Sequence, residues 1–287
     1  MRPGPARHAF EPSKPEPVGE GASAQVYRLD ATRVFKGFKP HLAPILVDRE
    51  LALAGLAHEA GIPTPRPVGR HTLEGLDGIL FDYQPGTNLD EHTLPRPWRY
   101  GRAPRQMAEL HAAIHDAEVA QAGRVLPAPW RQRDFWRMLI GYADSLPGAH
   151  RETCLARLES LPDGESLCHG DMAPSNVMYH GGRCIAIDWS LASLGDPMGD
   201  VAFTWVGIHD LSQLVDLPRI VKAILRRSSR RYLSRYGECR PAFDRRRFER
   251  WLAPAAAARL GALEKAGDPG AVAAPLRRLI ESYCADE

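Results

Sequence analysis

Cysteine is scarce and scattered: the five residues Cys154, Cys168, Cys184, Cys239 and Cys284 contain no C-x-x-C pair and no Cys/His group at metal-ligand spacing. A disulfide framework and a zinc site of the usual kinds are thereby excluded, and a reducing, cytoplasmic setting is expected. Long hydrophobic runs are missing as well. Nothing approaches the roughly 18 uninterrupted apolar residues of a membrane-spanning helix, and the opening MRPGPARHAFEPSKPEP lacks the apolar core of a secretion signal. Neither membrane insertion nor export is expected. An excess of charge is also absent, since 37 Lys and Arg face 35 Asp and Glu for a net +2, so overall charge names no partner. No fixed-period repeat is visible, which excludes a solenoid.

What remains is a globular composition, 44% hydrophobic and 25% charged over 287 residues, long enough for two domains or one bilobal enzyme. Residues 1–17 are rich in Pro and charge and read as a flexible tail. From Val18, GEGASAQVYRL and TRVFKGF carry the Gly punctuation and Val, Tyr and Phe of adjacent antiparallel strands. ILVDRELALAGLAHEAG follows with helical periodicity, and GILFDYQPG reads as a buried strand entering a turn at Pro85 and Gly86. Beyond that turn the pattern becomes helical over residues 104–116, 131–146 and much of 211–283, broken at 166–189 by two short apolar runs. The expectation is an α+β, bilobal chain: a small antiparallel-sheet lobe over 18–84, a larger mainly helical lobe over 85–287, and a ligand crevice between them. The Arg-rich stretch from Arg219 to Arg250 carries no nucleic-acid motif or stacking platform, so it reads as helix faces in solvent.

Chemistry concentrates in Cys168-His169-Gly170-Asp171-Met172-Ala173-Pro174-Ser175-Asn176, followed by Ile185-Ala186-Ile187-Asp188-Trp189. Phosphoryl transfer asks a protein for an acceptor-orienting carboxylate, hard oxygen ligands for Mg²⁺, and cations or backbone donors around phosphates. The H-x-D-x-x-x-x-N spacing puts Asp171 and Asn176 at the two ends of one tight loop, and Asp188 ends an apolar run as a charged oxygen donor.

This pattern resembles the aminoglycoside phosphotransferase and choline kinase group, which has the protein-kinase-like fold. The resemblance runs from Val18 to Trp205 and is strongest between Ser166 and Asp200. It implies Asp171 as catalytic base, Asn176 and Asp188 as Mg²⁺ ligands, and His169 as a loop-stabilising residue. Gly170 stands where many protein kinases carry Arg, and neither Asp-Phe-Gly nor Ala-Pro-Glu follows, so a small-molecule acceptor is implied rather than a protein. Asp200 is expected to cap a helix, and His111 and His115, four apart on one helix, are expected to pack rather than bind metal.

On the nucleotide side, Gly19, Gly21 and Ser23 lie in a Gly-rich turn whose backbone amides suit phosphate. A plain hairpin turn accounts for the same residues when they are taken alone. By the resemblance Lys36 pairs with Glu50 to hold the α/β-phosphates, Lys39 being the rival lysine, and Phe81, Asp82 and Tyr83 form the hinge where adenine meets main chain. The implied partners are ATP or GTP, Mg²⁺ and a small hydroxylated acceptor. The acids Asp90, Glu91, Asp134, Asp210 and Asp216 are candidates for a cationic acceptor, and Trp98, Trp130 and Trp136 for helix packing. The second reading is a nucleotide-binding regulatory protein of the same fold without turnover.

Overall fold

The structure is a computed structural model and describes residues 15–93, 101–119, 130–267 and 270–285. Three strands open the chain, β1 (Glu16–Glu20), β2 (Ala24–Arg28) and β3 (Arg33–Phe38), and the helix α1 (Ala43–Glu59) leads to β4 (Pro67–Leu73) and β5 (Leu76–Asp82). Their order in the sheet is β1-β2-β3-β5-β4, antiparallel throughout. Glu16 and Pro17, which composition assigns to the tail, pair with Arg28 and Tyr27 instead. Proline is tolerated there because β1 is an edge strand. Phe35, Phe38 and Ile79 are fully buried, and α1 adds Leu53, Ala54 and Ala57 from one face.

After this sheet come β6 (Thr87–Asn88), α2 (Leu89–Thr93), α3 (Ala103–Asp116), α4 (Gln132–Gly141) and α5 (Gly148–Ser160). Next come β7 (Ser166–Cys168), β8 (Val177–His180), β9 (Arg183–Ala186) and β10 (Ser193–Gly195). Strands β8 and β9 form a hairpin with β6 on its edge, while β7 pairs with β10. The chain closes with α6 (Pro197–Trp205), a π-helical turn at Val206–Asp210, α7 (Leu211–Leu214), α8 (Arg219–Cys239), α9 (Arg245–Ala266) and α10 (Ala273–Ala285). Trp136 belongs to the helix core, edge-on to Trp251 at 5.4 Å between ring centroids, as its expected packing role requires. Trp98 lies outside the described residues.

Helix α9 is seated by small side chains. Ala255 to Ala258 are fully buried, and a Cβ on Gly261 would lie 1.8 Å from the Leu139 carbonyl oxygen of α4. That close approach sets the height of α9 beside the cleft, and with it the position of Arg259. Between the lobes, Ala186 donates its N–H to the Pro63 carbonyl at 2.8 Å, and Trp189 Nε1 donates to Thr64 Oγ1 at 2.9 Å. All five cysteines are free thiols. Among the described residues no helix is long and apolar enough to cross a membrane.

Candidate active site

Strand β3 carries Lys36 into the cleft, and α1 presents Glu50 from the opposite side. Lys36 Nζ donates to both Glu50 oxygens at 2.9 and 2.8 Å and to Asp188 Oδ1 at 2.7 Å. Burial disfavours the Lys36 charge, but the two carboxylates outweigh it and raise its pKa. Burial pushes Glu50 up to about 7, only partly offset by Lys36. At Asp188 burial is outweighed by Lys36 and by Ser190, whose Oγ donates at 2.6 Å, and the carboxyl is held down at about 2. Asp188 also has a φ of 64°, a left-handed backbone uncommon for a residue with a side chain. Such local strain is often kept at functional sites.

The loop between β7 and β8 carries Asp171 and Asn176. Gly170 has a φ of 83°, and a Cβ there would meet the Leu191 carbonyl oxygen at 2.0 Å. Only glycine fits, which accounts for its presence between His169 and Asp171. His169 Nε2 donates to the Ile187 carbonyl at 3.0 Å, and Nδ1 accepts from Asp171 N at 3.3 Å. Burial lowers the His169 pKa, so this imidazole is a neutral brace in a defined tautomer. Asn176 Nδ2 donates to the Asp171 carbonyl at 2.9 Å and to its Oδ2 at 3.1 Å. The Asn176 amide oxygen is thereby left as a hard donor lining the same cleft as ionised Asp188, a donor set that fits Mg²⁺.

Asp200 does not cap a helix. Asp196 caps α6, accepting from Met198 N at 2.9 Å, because α6 begins at Pro197. Asp200 instead lies fully buried in the first turn of α6 and accepts from His169 N and Gly170 N at 2.5 and 2.9 Å. Its Oδ2 also takes His111 Nε2 at 3.0 Å and His115 Nε2 at 3.1 Å. The opposite ring nitrogens meet Tyr232 OH at 2.6 Å and Tyr236 OH at 2.7 Å. Although His111, His115 and Asp200 have ligand atoms within 4.8 Å of one another, these bonds engage all four imidazole nitrogens. The histidines are packed, as their helical spacing suggests, but through a polar anchor rather than apolar contact. Burial and the neighbouring His111 push His115 down to about 3, which keeps its ring neutral.

One cleft of about 660 Å³ brings together Gly19, Gly21, Ser23, Lys36, Glu50, Phe81, Asp82, Tyr83, Asp171, Asn176 and Asp188. At the hinge, Asp82 N already donates to the Arg66 carbonyl at 3.0 Å and Tyr83 N to the Thr32 carbonyl at 2.7 Å. These two amides are therefore engaged by other residues of the chain. Of the five acids considered for a cationic acceptor, only Glu91 lines the cleft. Asp134 pairs with Arg137 at the surface at 2.6 Å, and Asp210 pairs with His209 at 2.8 Å and Tyr283 at 2.5 Å.

Sequence reasoning missed three contributors: Thr64, Ser190 and Arg259. Arg259 Nη2 donates to Asp171 Oδ1 at 2.7 Å and to the Phe203 carbonyl at 3.2 Å. It lies outside the Val18–Trp205 stretch that carries the resemblance, and no short-range motif marks it. Its signal was only an Arg inside a small-residue helical run.

Several known proteins share this architecture. A thermostable mutant of aminoglycoside phosphotransferase APH(4)-Ia, in a complex with ADP and hygromycin B, superposes with a TM-score of 0.67 at 18% identity, covering 96% of this chain and 94% of that one. The choline kinase LicA from Streptococcus pneumoniae gives 0.63 at 17% identity, covering 97% and 95%. At these identities the likeness shows the bilobal kinase-like α+β fold. In sequence, aminoglycoside 3'-phosphotransferase from Streptomyces fradiae is 30% identical over 158 residues, 50% of this chain and 58% of the relative. Acyl-CoA dehydrogenase family member 11 from Rattus norvegicus is 26% identical over 175 residues, 54% of this chain but only 22% of that much longer protein. The chain thus spans under a quarter of the length of such relatives. The sequence model of the APH phosphotransferase enzyme family matches residues 14–248, past the point where the motifs fade, and the chain belongs to that family.

Proposed function

We propose that this protein transfers the γ-phosphoryl group of a nucleoside triphosphate, ATP or GTP, to a hydroxyl of a small molecule. The observation that carries the reading is the convergence of the Lys36–Glu50 pair, Asp188, Asn176 and Asp171 in one cleft beneath the Gly-rich turn. The ADP in the aminoglycoside phosphotransferase of the same fold, in complex with hygromycin B, supports a nucleotide ligand.

Lys36, oriented by Glu50, holds the phosphates, and the backbone between Gly19 and Ser23 approaches them from above. Mg²⁺, when held by Asn176 and Asp188, supplies neutralisation of phosphate charge. Asp171, steadied by Asn176, orients the acceptor hydroxyl and takes its proton. His169 and Asp200 keep the loop in shape without touching the reacting atoms. The five free thiols support a reducing, cytoplasmic workplace.

A coupled ADP-release screen with MgATP against hydroxylated antibiotics, amino alcohols, sugars, nucleosides and hydroxy acids tests the reading, with Asp171→Asn as the blank. Acceptor-dependent release absent from the blank is expected. Equal release from both proteins on every acceptor would remove phosphotransfer.

A further inference from the structure

The carboxylate of Asp171 is held at both of its oxygens. Asn176 Nδ2 donates to Oδ2 at 3.1 Å, and Arg259 Nη2 donates to Oδ1 at 2.7 Å. The second bond matters because the terminal torsion of an aspartate is broad, so a hydrogen bond on one oxygen leaves the plane of the group free to turn. Donors on both oxygens fix that plane. Each oxygen keeps a further lone pair, and the two bonds therefore orient the carboxylate without closing it to a hydroxyl. Asp171 remains 27% exposed toward the cleft, whereas only 15% of the Arg259 side chain is exposed.

The pose of Arg259 serves this contact ahead of its own hydrogen bonding. Nη2 also donates to the Phe203 carbonyl at 3.2 Å, so both N–H groups of that nitrogen are engaged by protein oxygens. Nε is buried with no hydrogen-bond partner among the described residues. An orphaned buried donor costs stability and calls for an explanation. The surroundings hold the side chain in place. The Phe203 ring centre lies 4.2 Å from Cζ, and a Cβ on Gly207, in the π-helical turn, would lie 2.9 Å from Nη2 and 3.0 Å from Cζ. That turn ends at Asp210, which accepts from Tyr283 OH of α10 at 2.5 Å, so the last helix braces the segment against which Arg259 rests. π-Helical turns are rare and cluster at functional sites.

Resting on the phosphotransfer reading, we propose that Arg259 is a positioning residue, which fixes the plane of the Asp171 carboxylate so that a bound hydroxyl finds it already aligned. It touches no reacting atom and acts only through Asp171. A displacement of about 1 Å at a reacting group lowers the rate by roughly 10²-fold, so a carboxylate held on one side alone loses turnover while the nucleotide contacts of Lys36 stay as they are.

The test labels the asparagine side chains of the full chain with isotopic nitrogen, MgADP being bound, and reads their amide resonances. The sequence has only two asparagines, Asn88 and Asn176, so the Asn176 pair, bonded to Asp171, is read against Asn88 as an internal reference. Arg259→Gln is expected to move the Asn176 pair and leave Asn88 in place. Gly207→Ala, which displaces the guanidinium while keeping its charge, is expected to move it in the same direction, and it serves if Arg259→Gln melts abnormally. In kinetics with MgATP and the panel of hydroxylated acceptors, Arg259→Gln is expected to lower kcat about 10–100-fold with the KM for ATP within about twofold, and Arg259→Lys to recover part of the loss. In the Asp171→Asn background the same substitution should lower kcat by less than about twofold more, since nothing is left to position. An unmoved Asn176 signal in the folded variants, a parent-like kcat, or a loss repeated in full without Asp171 overturns the proposal. A parent that binds MgATP yet phosphorylates nothing in the panel sinks the kinase reading instead, and the Asn176 signal then still decides whether Arg259 orients Asp171.

Discussion

Gly170 donates its backbone N–H to Oδ1 of Asp200 at 2.9 Å, tying the turn just ahead of Asp171 to the first turn of α6. The same carboxylate holds His169 N and both imidazoles of α3, so one buried side chain joins the catalytic loop to two helices. Asp200→Ala strands two amides and two histidines in a fully buried place. A loss of about 3–5 kcal/mol is expected from such removal of one buried partner, read as a lowered urea midpoint. A change within experimental scatter would mean the loop is held by other contacts.

Gly170→Ala forces a left-handed backbone on alanine and drives its Cβ into the Leu191 carbonyl. The backbone strain alone costs about 1–3 kcal/mol, and the clash displaces the loop. Turnover should fall further than nucleotide affinity, because Asp171 moves while Lys36 does not. Unchanged kcat would show that the loop tolerates the shift.

Asp171→Asn and Asp188→Ala should fail in different ways. The first is expected to lower kcat by about 10²–10⁴-fold with nucleotide affinity nearly intact. The second should abolish the Mg²⁺ dependence of nucleotide binding, measured by titration with and without the ion. If both variants lost nucleotide binding equally, the division of roles would be wrong.

Glu50 gives a pH signature. Its carboxyl rises from the ordinary 4.5 to about 7 on burial, so between those values the native state binds the proton more tightly than the unfolded chain. The contribution of Glu50 to stability is therefore fullest below 4.5 and declines as pH rises toward about 7. The ionised Lys36–Glu50 pair becomes complete over the same rise, so the KM for ATP should improve from pH 6 toward pH 8. Glu50→Gln should flatten both trends, in thermal melts and in kinetics. A parent-like slope in that variant would assign the titration elsewhere.

Local sequence carried much of this molecule. The antiparallel strands around Lys36, the helix bearing Glu50 and the loop from His169 to Asn176 are specified by short-range patterns, because periodicity, glycines and motif spacing act over a few residues. The sequence showed that Gly170 departs from Arg at this position, and the fold gave the reason, a backbone geometry closed to any Cβ. Tertiary structure decided the rest. Asp200 read as a cap because its neighbours resemble a helix start, yet Asp196 takes that role and Asp200 turns inward to partners on α3 and the catalytic loop. The hinge amides of Asp82 and Tyr83 are engaged by Arg66 and Thr32, which no local pattern reports. Arg259 lies 88 residues from Asp171 along the chain, and only the seating of α9 on α4 through Gly261 brings the two together. The candidate site residues thus lie in short local motifs, whereas the position of Arg259 comes from helices whose meeting depends on packing across the whole chain.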